Sequence, residues 1–154
     1  MELNTKGRYA VTAMADLAKY GASEAVPLSA IAERQRISLA YLEQLFAKLR
    51  RAGLVESARG RAGGYRLARP ASSVTVGEIM EAVEEGVRMT RCNGEDSTPC
   101  MAGQRCLTHG LWDALGERIA AFLDSVTLQE VLEGIPPAKQ AERVSAAPAQ
   151  WISE

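Results

Sequence analysis

The segment from Ser38 to Gly53 restricts the choice of fold more than any other part of this chain. Leu42, Leu45, Phe46 and Leu49 stand at i, i+3, i+4 and i+7, so a helix here carries one continuous apolar stripe. Ser38 is placed to cap its start and Gly53 to close its end. A shorter periodic stretch precedes it: after Pro27, Ser29 can cap a helix that buries Ala30, Ile31 and Ala32 and stops near Gln35. Two short helices joined by a few residues, the second strongly amphipathic, match the helix-turn-helix unit, whose second helix enters the major groove of DNA.

The residues that follow extend this reading. Leu54–Ser57 predicts a strand, Arg59-Gly60-Arg61-Ala62-Gly63-Gly64 a turn, and Tyr65-Arg66-Leu67 the returning strand. A helix-turn-helix followed directly by such a hairpin is a winged helix, and Arg59 and Arg61 at the tip are placed for a minor groove. The glycines have neither G-x-G-x-x-G nor G-K-[ST] spacing, so they are no phosphate-binding fingerprint. Upstream, Val11, Met14, Leu17 and Ala18 predict an amphipathic helix from Tyr9 to Tyr20, with Asp16 and Lys19 off its apolar face. Downstream, Thr75-x-x-Glu78 is a capping box ahead of Ile79, Met80 and Val83. A polar loop then leads to a long helix from about Thr108, with an apolar stripe that includes Leu111, Leu115, Ile119 and Phe122, and Trp112 beside it. A stripe this long at the edge of a small domain predicts a dimerisation helix. Thr127-x-x-Glu130, a second capping box, opens a helix of one or two turns that closes at Gly134. The fold class is therefore mainly α with a small β-hairpin wing: a winged helix-turn-helix plus a long dimerisation helix.

Charge supports a polyanionic partner. The 154 residues hold 18 Lys and Arg against 19 Asp and Glu, which excludes a uniformly basic coat protein, yet the balance is uneven along the chain. Residues 1–70 carry 12 basic and 6 acidic side chains, and residues 71–154 carry 6 and 13. No apolar run approaches the ~18 residues of a membrane span, and Glu2, Lys6 and Arg8 interrupt the start, so a cytoplasmic protein with no membrane partner is expected. With the stripe of the Ser38–Gly53 helix turned inward, Ser38, Tyr41, Glu43 and Gln44 are candidates for reading bases, and Lys48, Arg50 and Arg51 suit phosphates. Gln can bind adenine at two points, and Glu can accept from the cytosine amino group.

All three Cys and the single His fall within eighteen residues, as Cys92, Cys100, Cys106 and His109 in a C-x7-C-x5-C-x2-H arrangement. Three thiolates and one imidazole make a four-ligand set for zinc or an iron–sulfur cluster. The C-x2-C or C-x4-C knuckle usual in structural zinc sites is missing, and a redox-sensing thiol pair or a loop of plain thiols remains an alternative. A thiol-based metal or redox enzyme would need a substrate-pocket motif, a second His or a paired catalytic acid, and the sequence shows none of these.

Four stretches together resemble the IscR family of bacterial iron–sulfur cluster regulators: Thr5–Met14, Ile37–Phe46, Arg59-Gly60 with Gly63-Gly64-Tyr65, and Cys106–Trp112. The resemblance covers roughly residues 1–135. It implies a homodimeric winged-helix transcription factor, not an enzyme, that binds double-stranded DNA and controls iron–sulfur assembly genes. It also implies a [2Fe–2S] cluster on Cys92, Cys100, Cys106 and His109, delivered by iron–sulfur cluster donor proteins. Two positions depart from the family: the interval between Cys92 and Cys100 is two residues longer than usual, and Ala40 stands where a Ser is usual. The related nitric oxide sensor NsrR resembles this chain less, because an N-terminal Asp ligand of that protein corresponds to Arg8 here, and a cation cannot ligate iron. On this reading the chain divides into a DNA-binding domain (1–84), a cluster-binding loop (85–107), a dimerisation helix with a short closing helix (108–134) and a disordered tail (135–154).

Overall fold

Helix α1 (Thr5–Tyr20) opens the computed structural model, in which residues 5–87, 105–136 and 139 are described. It starts a turn earlier than Tyr9 and buries Ala10, Ala13, Met14 and Leu17. Asp16, which periodicity places off the apolar face, is also buried, at 3% exposure. The chain then turns through Gly21, whose N–H donates to the Leu17 carbonyl at 2.8 Å.

Helix α2 (Leu28–Gln35) follows Pro27 directly, and Ser29 lies inside it rather than capping it. The reason is upstream. Val26 is bonded to the wing as a strand, and Pro27, extended at φ −69° and ψ 143°, lets its own carbonyl accept from the Ala30 N–H, so the helix begins with no side-chain cap. Arg36 in the left-handed region (φ 55°) ends α2 and starts the turn to α3 (Leu39–Arg51). There Ser38 is the cap, its Oγ accepting from the Tyr41 N–H at 3.2 Å. The other end of α3 closes in a Schellman turn: Gly53 has φ 74°, its N–H donates to the Arg50 carbonyl, and the Leu54 N–H donates to the Leu49 carbonyl.

That turn uses Leu54, so the first strand is β1 (Val55–Ala58), one residue later than Leu54–Ser57. It pairs antiparallel with β2 (Gly64–Leu67), Val55 opposite Leu67 and Ala58 opposite Gly64. Val26 forms a bridge to the other edge of β2, exchanging two 2.8 Å hydrogen bonds with Tyr65. Gly64 is required for that approach, since a Cβ there would lie 2.4 Å from the Val26 carbonyl. Both capping boxes form as expected and open α4 (Val76–Ala82) and α6 (Leu128–Glu133). They lie side by side: the Val76 N–H donates to the Val126 carbonyl, and the Leu128 N–H to the Val74 carbonyl.

One apolar core joins Met14, Leu17, Ile31, Phe46 and Ile79 with Leu128, which is fully buried. Helix α6 thus packs on α1 inside the winged-helix core, although it follows the long helix α5 (His109–Ser125) in the chain. Helix α5 docks on α4, where Asp124 packs over Gly77 so closely that a Cβ there would displace its carboxylate. Beyond that contact α5 projects its apolar stripe outward: Leu111 is 61% exposed, and Trp112 and Phe122 are each 38% exposed.

Candidate nucleic-acid interface and ligand loop

Leu42, Leu45, Phe46 and Leu49 face the core, so α3 presents Ala40, Gln44, Ala47 and Arg51 on the opposite side, all exposed. Ser38 is exposed at the N-terminus of α3 and Glu43 lies on one shoulder of this face. Tyr41 and Lys48 occupy the other shoulder and are half-buried. The Tyr41 ring packs edge-on against Tyr9 with centroids 5.9 Å apart, which fixes α3 against α1. Lys48 is ion-paired with Glu84, just past α4. Arg50 reaches Ser57 on β1 at 3.5 Å, leaving Arg51 as the basic group on the outward face.

The wing carries Arg59 and Arg61 on an exposed tip. Its base is fixed by the Val26 bridge and by Tyr65, whose ring meets Phe46 of α3 at 4.9 Å. Recognition helix and wing therefore share one rigid foundation.

Asp16 contributes to that foundation, and the apolar pattern of the sequence did not reveal it. Its carboxylate accepts from Arg34 Nη2 at 2.6 Å, Arg34 Nε at 3.0 Å and Gln35 Nε2 at 2.6 Å, tying α1 to the end of α2 beside the helix-turn-helix turn. The Arg34 guanidinium also lies over the Tyr20 ring, 4.3 Å from its centroid. Burial pushes the Asp16 carboxyl up, but the hydrogen bonds from Arg34 and Gln35 outweigh it and hold the group below the ordinary carboxylate range. The one signal in the sequence was an Arg-Gln pair at the end of α2, which is not specific enough to name its partner.

Of the four candidate ligands, Cys106 and His109 lie within the described residues, while Cys92 and Cys100 lie outside them. Cys106 sits half-buried just ahead of α5, with Sγ 3.7 Å from Thr108 Oγ1. His109 is the first residue of α5 and only 7% exposed. Its backbone N–H donates to the Cys106 carbonyl at 3.1 Å, so the two residues share a single turn. A thiol and an imidazole on this turn fit two places of a mixed thiolate–imidazole site. Among the described residues no group of three His, Cys, Asp or Glu side chains converges as a metal site.

The family model for Rrf2, described as an iron-dependent transcriptional regulator, matches residues 3–134. The chain belongs to the Rrf2 family. Among curated relatives it is similar to the HTH-type transcriptional regulator IscR of Vibrio atlanticus, 54% identical over 133 residues, which is 86% of this chain and 76% of that protein. It is also similar to IscR of Yersinia enterocolitica, 51% identical over 143 residues, 93% of this chain and 86% of that protein. Among solved structures, T. potens IscR superimposes with a TM-score of 0.70 at 38% identity, covering 97% of this chain and 94% of that one. CymR, the global cysteine regulator of B. subtilis, gives 0.71 at 32% identity, covering 86% and 97%. As a member of the Rrf2 family, this protein is a DNA-binding transcriptional regulator and not an enzyme. Among the described residues no helix is long and apolar enough to cross a membrane.

Proposed function

We propose that this Rrf2 protein is a homodimer that senses iron–sulfur cluster supply through a [2Fe–2S] cluster on Cys92, Cys100, Cys106 and His109 and controls iron–sulfur assembly genes in the cytoplasm. The observation that carries the reading is the pairing of Cys106 with a buried His109 on the first turn of α5, in a chain 54% identical to an IscR. The cluster, received from iron–sulfur cluster donor proteins, would supply a reversible occupancy that reports supply. Residues 85–107 form the cluster-binding loop between a DNA-binding domain (1–84) and a dimerisation helix with a short closing helix (108–134), of which the closing helix α6 packs back on the winged-helix core, and residues 135–154 form a tail. One neutral imidazole among the ligands can protonate and leave, so the site is more labile than an all-Cys site.

On DNA, Ser38, Tyr41, Glu43 and Gln44 read bases, Lys48 and Arg51 meet phosphates, and Arg59 and Arg61 of the wing approach the minor groove. A two-fold dimer places its recognition helices in successive major grooves about 34–36 Å apart. Glu43 acts as a filter: facing guanine O6 and N7 an unpaired carboxylate opposes binding, whereas a cytosine amino group gives it a hydrogen bond, with discrimination of about 1–3 kcal/mol. Freshly purified anaerobic protein should be red-brown, hold about two irons and two acid-labile sulfides per chain, and retard specific genomic fragments in a gel shift. Zinc without sulfide would overturn the cluster assignment and leave the zinc or redox-thiol reading in its place.

A further inference from the structure

Helix α4 ends in a Schellman turn: the Glu84 N–H donates to the Glu81 carbonyl at 2.8 Å and the Glu85 N–H to the Met80 carbonyl at 2.9 Å. The residue in the left-handed position is Glu84, at φ 62°, where glycine is the usual occupant because it has no Cβ to clash. A charged residue at a glycine position invites the question of what its side chain does. Its carboxylate pairs with Lys48 on the shoulder of α3 and lies 4.0 Å from Lys6 of α1, while Glu85 pairs with Lys6 at 3.4 Å. Lys48 stands one turn beyond Gln44, at the edge of the outward face of α3. Hydrogen bonding from Lys48 also holds the Glu84 carboxyl below its ordinary range, so the group is an anion at neutral pH.

We propose that Glu84 is a phosphate competitor: its carboxylate occupies Lys48 in DNA-free protein and must be displaced when that ammonium turns to the DNA backbone. Lys48 carries one charge on one flexible stem and satisfies either the carboxylate or a phosphate as its close partner. Binding therefore exchanges one ion pair for another, and part of the phosphate contact is spent breaking the first. This inference rests on the assignment of Lys48 to phosphate and deepens it by naming the residue that regulates the contact.

The test is a double-mutant cycle on the full-length, cluster-free protein, with a mixed-sequence DNA duplex as probe and affinity measured over a range of salt. Glu84→Gln should bind about 1.5- to 5-fold more tightly than the parent, the range expected for release of one exposed pair. Its log–log salt dependence should steepen by up to about 0.9, one phosphate's worth of counterion release. In a Lys48→Ala background the same change should have no effect. Glu84→Gly, which relaxes the left-handed turn, should keep or raise the melting temperature and still bind more tightly, separating the competitor from any structural role. Parent-like binding by Glu84→Gln would overturn the proposal, as would equal tightening with and without Lys48. A Lys48→Ala protein with the parent's affinity and salt slope would instead overturn the phosphate assignment on which it rests.

Discussion

At the scale of single residues, Asp16 and Arg34 form an ion pair whose two halves are unequally placed. The Asp16 side chain has no exposed surface, whereas a third of the Arg34 side chain is exposed. Removing Arg34 leaves a buried carboxylate with Gln35 alone, and Arg34→Ala should cost about 3–5 kcal/mol. Removing Asp16 frees a guanidinium that can reach water, so Asp16→Ala should cost less, about 1.5–3 kcal/mol. Urea denaturation of both variants checks the order, and equal losses would contradict it. The pH dependence has a definite sign. Because the folded carboxyl lies below its unfolded value, the stabilisation is complete above the unfolded value of about 3.9 and is lost as the pH falls through the folded one. Asp16→Asn should therefore flatten the acid limb of the stability curve and lower the plateau at neutral pH. Hydrophobic periodicity could not reveal this pair, because it weighs a carboxylate as a solvent-facing residue and cannot see a partner eighteen positions away.

At the scale of elements, the wing depends on a contact between backbones. Gly64→Ala would force a Cβ onto the Val26 carbonyl and break the two hydrogen bonds between Val26 and Tyr65. At about 1 kcal/mol each, their loss should destabilise the protein by roughly 2 kcal/mol. It should also weaken DNA binding, because the tip that carries Arg59 and Arg61 loses its anchor. Thermal melts and a salt-resolved binding curve measure the two effects, and a stable protein with parent-like DNA affinity would show that the bridge does not position the wing. The helices, the hairpin and both capping boxes were legible in the sequence, since each has a local signature in spacing or turn chemistry. The third strand at Val26 was not. It is a single residue joined through its backbone, and such a contact leaves no pattern of side chains. The same contact explains why α2 starts at Leu28 with no side-chain cap while Ser29 lies within the helix.

At the scale of the whole molecule, α5 leaves Leu111, Trp112 and Phe122 exposed on one helix of the single chain. Leu111, Leu115, Ile119 and Phe122 recur at helical spacing along it, with Trp112 alongside. If a second copy covers this face, Leu111→Asp combined with Phe122→Asp should convert the protein to monomer in sedimentation experiments. The winged-helix core should stay folded by circular dichroism, since neither residue belongs to it. DNA affinity should fall by at least tenfold as two half-site contacts become one. A dimer that survives both changes would place the subunit interface elsewhere.

What spacing and chemistry dictated without coordinates was local: the stripe on α3, its Ser38 cap, the glycine-rich turn of the wing, the two capping boxes, and Cys106 with His109 three positions on. Each follows from groups within a few residues of one another, where helix and turn geometry leave little freedom. Folding the chain decided what is distant. It returned Leu128 to the core beside α1, buried Asp16 against α2, joined Val26 to the wing and set Glu84 on Lys48. These contacts link positions from 18 residues apart, as for Asp16 and Arg34, to more than 100, as for Leu128 and α1, selected by which faces meet when the helices pack around Phe46 and Ile79. A periodic pattern specifies that a face will be buried, and only the packed molecule specifies against what.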